Sequence, residues 1–331
     1  MLQQPIAARA DQLAVTVRSM TLLAKDTLAL ELVADGGAEL PPFSAGAHVD
    51  LLLPNGIRRS YSLCNSSGER HRYVVGVKKA DPSRGASAFI HDTLRVGARI
   101  TVTAPRNNFP LDEKASRSVL IAGGIGITPI MSMIDRLEEL RADWTLYYAA
   151  RTRADAAFLE QLQELGTTAP GRIHMRFDRE PGNAMLDLAA IVESERGAGV
   201  HFYACGPGPM LDAFEAATAA LPPGTCHLER FGAAPQAVSE DGLETFEVVL
   251  ARSGRSLTVG PGTTILDQLL EHGIDLPFSC MEGVCGSCRV AVLDGIPDHR
   301  DMVLTDDEMA ANGCMMVCCS GSRSAQLILD I

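Results

Sequence analysis

Three cysteines, Cys280, Cys285 and Cys288, followed by Cys318, constrain this chain more than any other feature. A spacing of four residues, then two, then a distant fourth thiol suits a two-iron, two-sulfide (2Fe-2S) cluster. Four thiolates around two irons need a loop that wraps one side and a returning strand that closes the other. Gly283 and Gly286 lie inside the loop, where glycine supplies positive φ and lets backbone N–H groups approach the sulfurs. Four thiolates also suit zinc, but zinc sites usually pair C-x2-C units and this loop does not. The segment reads as a one-electron carrier. Cys314 and Cys319 compete with Cys318 for the closing position, although Cys319 would face the other side of an extended strand. Outside the ligand set, Cys64, Cys226, Cys314 and Cys319 read as packed thiols.

A chain of 331 residues is long enough for two or three cores. Nine cysteines, with no apolar leader in Met1 to Ala10, point to a reducing, cytoplasmic location. The longest nearly apolar stretch, Ser118 to Ile134, is 17 residues with three glycines and a proline, too short and broken for a membrane span. The formal net charge of −12 argues against nucleic acid as a partner. From Phe246 to Ile331 there are 12 acidic against 5 basic residues, a net of −7. Such an end either steers towards a basic patch on another protein or simply keeps the chain soluble.

Up to about residue 110 the chain reads as short β-prone runs separated by turn residues, the pattern of a small antiparallel barrel or sandwich. The runs begin at Val15, Thr27, His48, Arg72 and Arg99. From about 117 strands alternate with helices at Pro129 to Leu140, Ala156 to Leu165 and Pro209 to Ala220, which predicts a doubly wound parallel sheet. Gly232 to Gly242 has the composition of a linker. Two further strands follow it, with a helix over Thr264 to His272 before the cysteine loop.

Three clusters upstream carry binding chemistry. Arg59-Ser60-Tyr61-Ser62 could clamp a phosphate, pack a ring and donate a hydrogen bond, and equally suits a strand with one packed tyrosine. Ser83-Arg84-Gly85-Ala86-Ser87 precedes a helix-like stretch, Ala88 to Leu94, and offers a phosphate cradle. Gly123-Gly124-Ile125-Gly126-Ile127-Thr128-Pro129 lies at a strand-to-helix turn without forming the G-x-G-x-x-G fingerprint. Cys205-Gly206-Pro207 repeats the arrangement at a later strand end. Two glycine-rich turns at one edge of a parallel sheet are what a dinucleotide crevice requires.

Arg-x-Tyr-Ser, Gly-Gly-Ile-Gly-Ile-Thr-Pro and Cys-Gly-Pro, in this order and with the C-terminal cysteine pattern, resemble the ferredoxin–NADP reductase superfamily. Arg59 to Asn65 and Pro105 to Leu111 are especially similar to the phthalate dioxygenase reductase family. The resemblance covers essentially the whole chain. It implies an antiparallel β-barrel flavin domain at 1–112, an α/β doubly wound nicotinamide domain at 113–231, a linker at 232–244 and a β-grasp plant-type ferredoxin domain at 245–331. It implies that Arg59 binds the flavin phosphate with Arg84, Gly85 and Ser87, that Tyr61 packs along the flavin, and that Ser62 hydrogen-bonds near N5. Gly123, Gly124, Gly126, Thr128, Cys205, Gly206 and Pro207 would hold the nicotinamide dinucleotide, with Cys205 near the hydride path and Phe231 closing the flavin site. Cys318 would close the cluster with Cys280, Cys285 and Cys288. Close relatives imply FMN, whereas most of the superfamily uses FAD. Arg151 and Arg153 could meet a 2′-phosphate, yet relatives with a similar arginine use NADH, and Asp178 is a candidate partner for a ribose hydroxyl.

The expected protein is a monomer that passes electrons from NADH through FMN and 2Fe-2S to a terminal oxygenase acting on an aromatic acid. No Rieske ligand pairs and no two-histidine, one-carboxylate set are evident in the sequence. A reductase for a quaternary-amine monooxygenase or a haem protein, or a non-catalytic redox sensor, are the alternatives.

Overall fold

The computed structural model describes residues 12–331 apart from 82, 84, 183, 232–241 and 279. They form two compact units, Met1–Glu229 and Arg230–Ile331.

The first unit opens with β1 (Gln12–Ala24), β2 (Thr27–Ala34), β3 (His48–Leu52), β4 (Arg58–Ser62), β5 (Tyr73–Lys78), helix α1 (Ala86–Asp92) and β6 (Arg99–Thr103). Their order is β4-β3-β6-β1-β2-β5, every pairing antiparallel. An antiparallel bridge between Leu63 and Val75 joins the two edges, so the sheet closes as a barrel. Alternation along the strands sends Val15, Val17, Val49, Leu51, Val75 and Val77 into one core, where each is fully buried. Burying such a side chain contributes roughly 1.5–3 kcal/mol, an upper figure for area taken from water.

The barrel is followed by β7 (Arg117–Gly123), α2 (Ile127–Leu140), β8 (Trp144–Ala150), α3 (Leu159–Thr168), β9 (Ile173–Phe177), α4 (Leu188–Glu195), β10 (Val200–Cys205), α5 (Gly208–Thr218) and β11 (Cys226–Glu229). The sheet is wholly parallel in the order β11-β10-β7-β8-β9. Chain order reverses between β7 and β10, and ligands of doubly wound sheets bind outside the carboxyl ends of the strands at such a reversal. The helix expected from Ala156 begins only at Leu159, because Arg153–Asp155 forms a 3-10 turn and Phe158 takes a left-handed φ of 59°. Helix α4 and strands β9 and β11 lacked a clear sequence pattern.

In the second unit β12 (Phe246–Leu250) and β13 (Arg255–Val259) form a hairpin before α6 (Ile265–Glu271). The thiol loop leads into β14 (Arg289–Asp294), β15 (Pro297–Asp298), α7 (Asp306–Ala311), β16 (Cys314–Met316), β17 (Gly321–Ser322) and β18 (Gln326–Leu329). The main sheet runs β13-β12-β18-β14-β16, with β12 and β18 parallel at its centre. Thr264 caps α6 in a reciprocal box with Asp267, and Leu266 and Leu269 of that helix are fully buried in this unit's core.

Candidate functional site

In the first unit the two glycine turns meet at the reversal between β7 and β10. A Cβ added to Gly126 would overlap the Cys205 carbonyl oxygen, and one on Gly206 would strike Met210 and stand 3.1 Å from the Gly123 Cα. One on Gly123 would lie 2.6 Å from the Pro207 ring. These three glycines let the turns pack against each other, a different reason from the ligand approach expected of them. Gly124 differs: its φ is +55° and nothing stands within 4 Å of its missing Cβ, so that backbone faces open space. Thr128 is buried and its hydroxyl donates to the Ile125 carbonyl at 2.9 Å, which braces the turn. Its methyl group would lie 2.5 Å from a Cβ on Gly76 of β5, so the barrel reaches the base of the same crevice.

Strand β4 supplies the barrel side. It pairs with β3 and, among the described residues, with no other strand between Arg58 and Ser62. Alternation puts Arg59 and Tyr61 on one face and Ser60 and Ser62 on the other. Asp50, wholly buried, accepts from Arg58 Nε at 2.9 Å, Arg106 Nη2 at 2.5 Å and Ser60 Oγ at 2.6 Å. Burial would raise the Asp50 carboxyl, but Arg106, Ser60 and Arg58 hold it below the usual carboxylate range. This network fixes the strand that carries Arg59, whose Nη1 donates to the Arg58 carbonyl at 2.8 Å. Burial pushes the Tyr61 hydroxyl up to about 12, so it stays a neutral ring.

Ser62 joins the barrel to the crevice: its hydroxyl donates to Glu229 Oε2 at 3.3 Å, across 167 positions of sequence. Glu229 ends β11 opposite Cys205 in the parallel register. Burial pushes the Glu229 carboxyl up to about 8, against a lowering by Ser62. Cys205 is fully enclosed, and burial, then the Glu229 charge, raise its thiol well above the ordinary value. It is a neutral thiol and no nucleophile. Glu229 is the residue that sequence reasoning passed over. Only the strand order reveals an acid at the end of β11, beside Ser62.

The other expectations fall out unevenly. Arg84 lies outside the described residues. Gly85 takes φ +101°, with Ile57 Cδ1 2.6 Å from its missing Cβ. The Ser87 hydroxyl accepts from Ala80 N at 3.1 Å, and Ser83 Oγ accepts from the Gly85 and Ala88 amides at 3.1 and 3.3 Å. Helix α1 starts at Ala86 and its first intrahelical bond runs from Phe89 N to Gly85 O, leaving the Ala86 and Ser87 amides without an intrahelical acceptor. Arg153 stacks on Phe177, 4.7 Å from the ring centroid, with Nε 3.6 Å from Glu180, so it is engaged inside the domain. Burial raises the Asp178 carboxyl. Phe231 is 41% exposed and belongs to the second unit.

In the second unit Met281, Gly283 and Gly286 all adopt left-handed φ, of 59°, 70° and 74°. The winding turns the Glu282 and Val284 amides onto Cys280 Sγ at 3.3 and 3.4 Å. Thiol donation from Cys285 and Cys318, with the Val284 and Cys285 amides, holds Cys280 well below the ordinary thiol value, while Cys285 and Cys318 are raised. Cys288 also bonds Cys318. Among the described residues no three His, Cys, Asp or Glu side chains form a single-ion site. The Cys319 thiol lies against Gly283, 2.5 Å from its missing Cβ, and Cys314 lies beside Arg289. Four gathered sulfurs with amide donors turned onto one of them fit a 2Fe-2S cluster.

Comparison with known proteins agrees with this geometry. Residues 248–321 match the 2Fe-2S iron-sulfur cluster binding domain and 120–216 the oxidoreductase NAD-binding domain. A solved phthalate dioxygenase reductase, described as a modular structure for electron transfer from pyridine nucleotides to [2Fe-2S], superposes with TM-score 0.79 at 39% identity, covering 97% of this chain and 98% of that one. The chain belongs to the phthalate dioxygenase reductase family. The family's cofactor set is NADH, FMN and 2Fe-2S, and the chain is an oxidoreductase of that multidomain architecture. Two other members are similar over nearly their full length. Phenoxybenzoate dioxygenase subunit beta of Ectopseudomonas oleovorans is 51% identical over 98% of this chain and 99% of its own. Tetrachlorobenzoquinone reductase of Sphingobium chlorophenolicum is 49% identical over 96% and 97%. No helix among the described residues is long and apolar enough to cross a membrane.

Proposed function

We propose that this chain is the cytoplasmic reductase component of a Rieske-type oxygenase system acting on an aromatic acid, with a separate terminal oxygenase as its electron acceptor. The carrying observation is the end-to-end match to an oxygenase subunit by a chain that holds both a nicotinamide crevice and a thiol loop. The modules are divided at 112/113, at the 232–244 linker and at 245. When bound, FMN would supply the conversion of an electron pair from NADH into single electrons for the cluster.

The protein's own residues prepare that exchange. Arg59, with Arg84, Gly85 and Ser87, carries the flavin phosphate, and β4 offers the flavin an edge held rigid by Asp50. Tyr61 packs along the flavin as a neutral ring. The open backbone at Gly124 meets the dinucleotide, while Gly123, Gly126, Gly206, Pro207 and Thr128 shape the crevice around it. Cys205 fills the crevice floor as an uncharged thiol. Glu229 keeps its proton at a carboxyl oxygen below about pH 8, next to the Ser62 hydroxyl, so the pair holds a proton rather than a charge beside the reacting ring. Cys280, Cys285, Cys288 and Cys318 hold the cluster.

The purified protein, mixed with candidate terminal oxygenases, should consume NADH in step with substrate turnover; absence of NADH-dependent cytochrome c reduction in the loaded protein sinks the reading. The 49% identity to a quinone reductase supports a second acceptor class. Rapid NADH-dependent reduction of tetrachlorobenzoquinone, with no oxygenase coupling, would favour it.

A further inference from the structure

Two buried carboxylates sit in the run Pro297-Asp298-His299-Arg300-Asp301, and the protein treats them differently. Asp298 accepts from Arg300 Nε and Nη2 at 2.8 and 2.6 Å, with Arg323 Nε 3.5 Å away. Asp301, with a side chain 0% exposed, has no such arginine among the described residues. Its Oδ1 accepts from the Val303 and Leu304 amides at 3.1 and 2.9 Å. Among the described residues Oδ2 has no hydrogen-bond partner, and neither ring nitrogen of His299 has one. His299 Nδ1 lies 3.9 Å from Oδ2, and its side chain is only 8% exposed. A carboxylate and an imidazole buried together with unsatisfied atoms are costly to folding and point to something gained elsewhere.

That gain is at the thiol loop. Met302, next in sequence, donates its amide to the Gly283 carbonyl at 2.9 Å. A Cβ on Gly283 would stand 3.0 Å from Asp301 Cα and 2.5 Å from Cys319 Sγ, so the Asp301 backbone lies directly on the loop between Cys280 and Cys285. The amides on either side of Gly283 are those that donate to Cys280 Sγ. Arg300, whose amide donates to Ser320 Oγ at 3.3 Å, ties the same run to the strand end beyond Cys318.

We propose that Asp301, oriented by His299, is a positioning residue for the cluster: it holds the turn whose Met302 amide fixes Gly283 and so aims the amides at Cys280. The inference rests on the ligand set proposed above. It acts through the loop and makes no bond to iron.

The test uses full-length protein loaded with flavin and cluster, in wild type and in Asp301→Ala, Asp301→Asn and His299→Ala. Iron release to a chelator, the electron paramagnetic resonance lines of the reduced cluster and its reduction potential are read, with flavin reduction by NADH as an internal control. Asp301→Ala should release iron about tenfold faster or more, the scale of lost outer-shell support, with shifted resonance lines and unchanged flavin reduction. Asp301→Asn keeps the Oδ1 acceptor and should return iron release to within about threefold of wild type. His299→Ala should shift the resonance lines in the same sense as Asp301→Ala. Wild-type lines and potential in Asp301→Asn and Asp301→Ala, even with lower thermal stability, would reduce Asp301 to a turn cap and overturn the proposal. If Asp301→Ala takes up no cluster, Asp301→Asn decides. Wild-type protein that binds no iron would defeat the ligand set instead.

Discussion

The thiol loop and the nicotinamide crevice reach function by opposite routes. Three of the four gathered thiols lie within nine residues, Cys280 to Cys288, and three left-handed residues wind them together. The crevice has no such local unit. Ser62, Cys205 and Glu229 come from β4, β10 and β11, and Ser62 and Glu229 meet across 167 positions. Local chemistry survives as spacing in the chain, whereas dispersed chemistry exists only once the strands are ordered.

The largest effect should separate the two regions completely. Cys318→Ser should abolish cytochrome c reduction and leave flavin reduction by NADH intact, while Cys314→Ser and Cys319→Ser keep an intact cluster by visible absorbance. A cluster that survives Cys318→Ser would return the closing position to one of its neighbours.

Next come the dispersed residues. Ser62→Ala and Glu229→Gln should each slow flavin reduction by NADH in stopped flow by about 100-fold, the usual scale for removing a positioned proton-holding group, with the cluster's spectrum unchanged. Glu229 has a pH signature in flavin-free protein too. Its folded value of about 8 lies above the ordinary 4.5, so the folded state keeps a proton that the unfolded chain gives up between them. Stability should therefore fall as pH rises through that window, and Glu229→Gln should flatten the curve in urea unfolding.

A smaller effect tests why the turns are glycine. Gly126→Ala drives a methyl group into the Cys205 carbonyl and should raise the KM for NADH about tenfold, an order-of-magnitude figure for a displaced binding turn. Gly124→Ala meets no protein atom and costs about 1 kcal/mol for its left-handed φ, so a rise in KM beyond that reports the dinucleotide against this backbone. A KM left unchanged by Gly124→Ala would remove that backbone from the dinucleotide site.

The smallest effect lies away from either centre. Burial, then Glu69 and Glu139, push the Asp135 carboxyl of α2 up to about 6. Ionising it at neutral pH weakens the fold, so Asp135→Asn should stabilise the first unit by about 1–2 kcal/mol above pH 6 and by little near pH 4, read by thermal unfolding.

Much of the fold could be read before any coordinates. Strands at Val15, Thr27, His48 and Arg99 are short β-prone runs bounded by turn residues, and the α2 segment begins at a glycine turn with Pro129 in its first turn. Helix α4 and the short β11 carry no comparable period, and the 3-10 turn at Arg153–Asp155 shifted the start of α3. The glycine turns were legible as turns, but their purpose was not. Gly126 and Gly206 serve contacts between segments about 80 residues apart, which no local pattern encodes.

The sequence by itself determined the cluster loop, the module order and the presence of a nicotinamide turn, because each depends on residues that are neighbours in the chain. The tertiary structure alone decided that Cys318 lies against both Cys280 and Cys288, that Glu229 stands beside Ser62, and that Asp301 lies on Gly283. Each of those is set by strand register and burial, where a shift of one residue sends a side chain to the opposite face.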